Sequence, residues 1–157
     1  MNNWVAILSS IFIALILAVL PMPEWTLWMR PAWVLLVLIY WTIAFPHKVG
    51  MAFAWVTGLI MDLLNGTLLG EHALAYTVVI YFVSTMYIRI RMYPILQQSL
   101  SVLFFVLMYQ FILYCIQGFI GKLPVSHLYW LSSLTSMLLW PWLFILLRDC
   151  QYRFKLV

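Results

Sequence analysis

Charge is scarce in this sequence. Among 157 residues, 8 are Lys or Arg and 4 are Asp or Glu, 8% in all. Soluble globular chains carry about 25%, so the scarcity excludes an ordinary water-facing domain. Cysteine is rarer still, at two residues. Cys115 and Cys150 supply neither a disulfide framework nor the paired spacing of a zinc site. The net charge of +4 is scattered and forms no basic face, which excludes nucleic-acid binding. A nucleophile elbow, a phosphate loop and paired catalytic carboxylates are all missing. The chain reads as a non-enzyme with no cofactor and no bound metal.

What the sequence has instead is apolar length. Hydrophobic residues make up 67% of it, in continuous runs rather than the alternation of a β-barrel. Six apolar segments can be drawn, at residues 4–20, 32–45, 49–64, 73–88, 95–120 and 125–147. Each spanning helix needs roughly 17–25 residues, so six consume almost the whole chain. The expectation is one all-α integral membrane domain over residues 1–157, a polytopic six-helix bundle with no room for a second domain. Residues 4–20 have no Lys or Arg before them and no small-residue cleavage site after them, and read as a retained first helix rather than a signal peptide. Pro21, Pro23, Pro31, Pro46, Pro94 and Pro124 mark segment edges, because proline drives the residue before it out of helical geometry. Segments two and three are short. At 1.5 Å per residue, 14 residues reach about 21 Å of a ~30 Å hydrocarbon core. They either cross a locally thinned site or form a hairpin inside the bundle.

Orientation follows the Lys and Arg bias of cytoplasmic loops. With the N-terminus inside, Lys48, Arg89, Arg91, Arg148, Arg153 and Lys155 fall inside and Arg30 and Lys122 outside. Six against two places both termini in the cytoplasm, residues 89–93 with them, and residues 24–30, 66–72 and 121–125 on the opposite side. Trp25, Trp28, Tyr129 and Trp130 stand near segment edges, where aromatic rings favour the headgroup level.

Asp62 is the outstanding residue, an acid well inside an apolar run. At mid-helix it costs about 2.5–3.5 kcal/mol on insertion scales. Within residues 58–70, Gly58 shares its helix face and permits close backbone approach. Asn65-Gly66 is a turn signal, so Gly66 and Gly70 shape a tight external loop. One reading of Asp62 is an ion, proton or substrate site. The other, an internally paired carboxylate that fixes helix packing, is favoured because no second acid or base stands at membrane depth. Arg30 is the expected partner: the short 45–49 turn makes segments two and three antiparallel neighbours, bringing both side chains to similar depths for a bidentate bond. His47, His72 and His127 lie in three loops on two sides of the membrane, which excludes a three-histidine metal site. His72 reads as a solvated loop residue.

Gln110, Tyr114 and Gln117 in segment five, with Ser132 and Ser136 in segment six, have the helical spacing of interhelical hydrogen-bond partners. Pro141, between Trp140 and Trp142, is expected to kink segment six. Arg89 and Arg91 are candidates for anionic lipid headgroups or a cytoplasmic partner.

Four ordered stretches carry a resemblance: Arg30-Pro-Ala-Trp-Val-Leu-Leu-Val-Leu-Ile-Tyr-Trp41, Phe45-Pro-His-Lys48, residues 58–70 with Asp62, and Leu139-Trp-Pro-Trp142. Together they resemble the MreD family of rod shape-determining proteins, in its proteobacterial form, from Arg30 to Arg148. The first helix matches in hydropathy alone. The resemblance implies an inner-membrane, non-enzymatic scaffold of the cell-elongation complex. Its partners would be MreC and, through it, the MreB filament, RodA and the elongation transpeptidase, directing lateral peptidoglycan synthesis. It also implies a fold similar to the substrate-binding subunits of energy-coupling-factor transporters. A small-molecule-binding or transport subunit is the alternative function.

Overall fold

A computed structural model describes residues 3–21, 23–24, 29–121 and 127–153. Trp25 and Trp28, and the Lys122 and Lys155 of the charge count, lie outside them. The described residues form six α-helices: α1 (Asn3–Val19), α2 (Trp33–Ala44), α3 (Met51–Asn65), α4 (Glu71–Met92), α5 (Ile95–Ile120) and α6 (Leu131–Arg153). A 3-10 turn, His127–Trp130, leads into α6. Helices α4, α5 and α6, of 22, 26 and 23 residues, are long and apolar enough to cross a bilayer. Helices α1, α2 and α3 are apolar and shorter.

The shortest helix is the most enclosed. Every residue of α2 from Val34 to Ile43 is buried, which a hydrophobic helix achieves only when protein surrounds it on all sides. Helices α1, α4 and α6 pack around it. Two of its polar ring edges are satisfied by these neighbours: the Trp41 indole donates to Ser10 Oγ (2.8 Å) and the Tyr40 hydroxyl to Gln151 Oε1 (2.9 Å). Its 12 residues reach about 18 Å, so its length is set by the protein around it.

The structure departs from the expected neighbours of α3. Despite the short connection at 45–50, α3 packs chiefly on α4, not on α2. Gly58 is the reason. A Cβ there would meet the Ala73 Cα at 2.3 Å and its amide nitrogen at 2.6 Å, so the α3 and α4 backbones touch where glycine leaves room. Ala54, Thr57, Met61 and Asp62 complete the buried face of α3. Without a hydrophobic driving force in lipid, such small-residue seams bring helices together.

Arginine finishes two helices. The Arg91 guanidinium, on α4, donates to the Ile43 carbonyl and, at 3.3 Å, to that of Ala44, at the end of α2. Arg30 does the same for the Leu20 carbonyl just beyond α1. Both satisfy acceptors that a helix end leaves open. Helix α4 also runs further than its apolar stretch. It carries Arg89 and Arg91 in its last turn and stops at Tyr93, which Pro94 holds extended (φ −74°, ψ 146°). Helix α6 runs unbroken through Pro141, with Trp140 buried and Trp142 exposed.

Candidate functional site

The polar groups converge where α3 turns into α4. Gly66, in the left-handed region (φ 67°), ends α3, and Gly70 (φ 100°) precedes α4. These conformations suit a residue without a Cβ, and between them they fold residues 66–71 back toward Asp62. The Asp62 carbonyl accepts from the Gly66 and Thr67 amides. Its carboxylate then accepts four more bonds. The donors are Thr67 Oγ1, the Gly70 amide and the His72 amide, each at 2.9 Å, and His72 Nδ1 at 2.7 Å. That is as many donors as a carboxylate has lone-pair sites.

Asp62 is thus a cap supplied by the neighbouring helix. The cap position before α4 is a glycine, which has no side chain to hold the first amides of the helix. The carboxylate of α3 takes that role, at the helix end where negative charge is favoured. Its neighbour Glu71, also buried, accepts from Gln117 Nε2 at 2.9 Å and ties α4 to α5.

The expected Asp62–Arg30 pair is not made. Among the described residues the ion-pair partner of Asp62 is His72, and the Arg30 guanidinium turns to Leu20. Helix α3 faces α4, and that decides the partner. His72 is likewise not a solvated loop residue; it is buried in the first turn of α4. Neither role was read from the sequence. The legible signal was an acid followed by two glycines and then a polar pair.

Next to this knot lies a cavity of about 270 Å³. His72, Tyr76 and Tyr109 form an aromatic wall, the two tyrosine rings stacked at 5.4 Å. Arg30, Gln110 and Tyr129 line other parts of it. Gln110 Nε2 donates to the Tyr129 carbonyl (3.1 Å) and the Tyr129 hydroxyl to the Gln110 carbonyl (3.2 Å), joining α5 to the turn before α6. Ser132 Oγ donates to the Arg30 carbonyl (2.6 Å), and Ser136 Oγ accepts from the Ala32 amide (3.1 Å). Tyr114 lies at the surface, its ring tilted against Trp130. At the opposite end Arg89 is exposed, whereas Arg91 is occupied with α2 and lies over the Tyr87 ring. Among the described residues, no group of three or more His, Cys, Asp or Glu is arranged to hold a metal ion.

The family model for rod shape-determining protein MreD matches residues 1–150. The chain is similar to the rod shape-determining protein MreD of Haemophilus influenzae, 35% identical over 98% of this chain and 95% of that protein. No solved structure matches, so the expected likeness to energy-coupling-factor subunits finds no support there. Three helices long enough to cross a bilayer and these two matches identify a membrane protein with a role in determining rod shape: the chain belongs to the MreD family.

Proposed function

We propose that this protein is a non-enzymatic scaffold of the cell-elongation complex. It binds MreC and, through it, engages the MreB filament, RodA and the elongation transpeptidase to direct lateral peptidoglycan synthesis. It sits in the inner membrane as one integral domain over residues 1–157, with both termini cytoplasmic. The observation that carries this reading is the Asp62 knot. An intramembrane acid defaults to a transport or catalytic role, but this one meets four donors from its own chain. Its chemistry is directed to holding a shape. Meanwhile the large side chains of α1, α3 and α5, such as Phe12, Leu63 and Phe111, point outward and offer apolar faces to lipid and to a single-span partner. Exposed Arg89 adds a cation for lipid headgroups or a cytoplasmic partner.

Depletion is expected to convert rods to spheres, and MreC is expected to co-purify in mild detergent. Normal rod shape after complete depletion, with no second copy of the gene, counts decisively against the reading. A small-molecule-binding or transport subunit is the second reading, favoured by the cavity beside His72. Its volume of about 270 Å³ lies just under the ~300–1,000 Å³ of pockets that enclose a whole small molecule.

A further inference from the structure

Trp33 is shared by two openings. On one side it lines the mixed polar and apolar cavity with Arg30 and Gln110. On the other it floors an apolar groove of about 390 Å³ between α1 and α6, walled by residues such as Ile13, Leu17 and Leu146. Along α1 the groove extends from Ser9 to Leu17, about 12 Å at 1.5 Å per residue.

The cavity holds polar groups that the bundle leaves unsatisfied. Gln110 is 3% exposed, yet among the described residues its Oε1 has no hydrogen-bond partner. The buried Trp33 indole N–H and Arg30 Nε–H have none either. Among the described residues no ion pair is made to Arg30; the pair formed is His72–Asp62, and Glu71 accepts from Gln117. The residues lining the cavity therefore include two free donors, one of them on a cation, and one free acceptor, and Trp33 also lines the hydrocarbon-walled groove.

We infer that this is a binding site for an anionic phospholipid. The phosphodiester takes the Arg30 Nε–H and the Trp33 N–H, a hydroxyl of the headgroup donates to Gln110 Oε1, and one acyl chain lies in the α1–α6 groove. A phosphodiester offers acceptors to match the two donors, and guanidinium suits phosphate oxygens. A glycerol headgroup supplies the hydroxyl. An ethanolamine headgroup instead sets a second cation beside Arg30.

The test is native mass spectrometry of the full-length protein, released from nanodiscs of equal phosphatidylglycerol and phosphatidylethanolamine. Phosphatidylglycerol should be retained about tenfold over phosphatidylethanolamine, about 1.4 kcal/mol, because one headgroup bonds Gln110 and the other sets a second cation beside Arg30. Arg30→Gln should bring the ratio near unity. Trp33→Phe, which keeps an aromatic ring and removes the free N–H, should lower phosphatidylglycerol retention about threefold to tenfold while leaving the ratio nearly unchanged, because both lipids carry the phosphodiester. Leu17→Trp, at a half-buried groove position, should reduce phosphatidylglycerol retention while leaving the cavity intact.

Millimolar glycerol 3-phosphate separates the sources. No displacement supports a lipid, whereas displacement assigns the site to a soluble anion and overturns the proposal. Equal retention of the two lipids by the unaltered protein also overturns it, as does an unchanged ratio in monodisperse Arg30→Gln. Because Arg30 also holds the Leu20 carbonyl, that variant can fail to fold. Trp33→Phe then decides, and undiminished phosphatidylglycerol retention rejects the site.

Discussion

Asp62 illustrates how one carboxylate can organise a whole connection. Its side chain receives Thr67, Gly70 and His72, and its carbonyl receives Gly66 and Thr67. Replacing it with alanine strands buried donors, so Asp62→Ala is expected to destabilise the protein by about 3–5 kcal/mol. Measured by thermal unfolding in detergent, an Asp62→Ala, His72→Ala double variant should fall short of the sum of the singles, because the two share one network. Asp62→Ala with Arg30→Ala should add within about 0.5 kcal/mol. Strong coupling in the second cycle, and none in the first, would restore the Arg30 pairing. The sequence made Asp62 conspicuous but hid its partner. Hydropathy gives depth along a helix and is blind to which face meets which neighbour, and the cap reaches ten residues ahead to His72.

At the scale of elements, the α3–α4 seam depends on the absence of one methyl group. Gly58→Ala forces a Cβ to within 2.3 Å of a backbone Cα, where no side chain can rotate away. The two helices must separate, at about 3 kcal/mol, the upper part of the usual overpacking range. Gly50→Ala is the control. Nothing lies within 4 Å of a Cβ at Gly50, and its effect on unfolding should stay within about 0.5 kcal/mol. Equal effects of the two substitutions would reject a Gly58-dependent seam. The existence of the helices was legible because apolar runs of this length have few other structures. Their ends were less so. Helix α4 continues past its apolar stretch through Arg89 and Arg91, since nothing stops a helix merely because its side chains become polar. Pro94 supplies the physical stop. The start of α4 at Glu71 was hidden for a related reason: polar Glu71 and His72 look like loop until Asp62 is seen to cap them.

For the whole molecule, the two ends differ in their chemistry. One gathers Asp62, Glu71, His72 and the tyrosine-lined cavity; the other carries Arg89, Arg91, Arg148 and Arg153. From the positive-inside bias the arginine end is expected to face the cytoplasm. This can be checked with single cysteines on a Cys115→Ser, Cys150→Ser background and an impermeant thiol reagent in intact cells. Leu69→Cys, at an exposed turn position, should label, and Arg89→Cys, exposed at the far end, should not. The reverse pattern would invert the topology.

The enclosure of α2 bears on how the protein is made. At about 18 Å, the helix is too short for lipid alone to hold it across a ~30 Å core, and its cover comes from α1, α4 and α6. During synthesis α1 has already emerged, but α4 follows later and α6 comes last. Until then the nascent chain carries a segment whose resting place has not been built, and which leaves the insertion machinery only as its neighbours arrive. Chains truncated before Leu131 never complete that enclosure, so membrane quality-control proteases should remove them even though most of their apolar segments are intact.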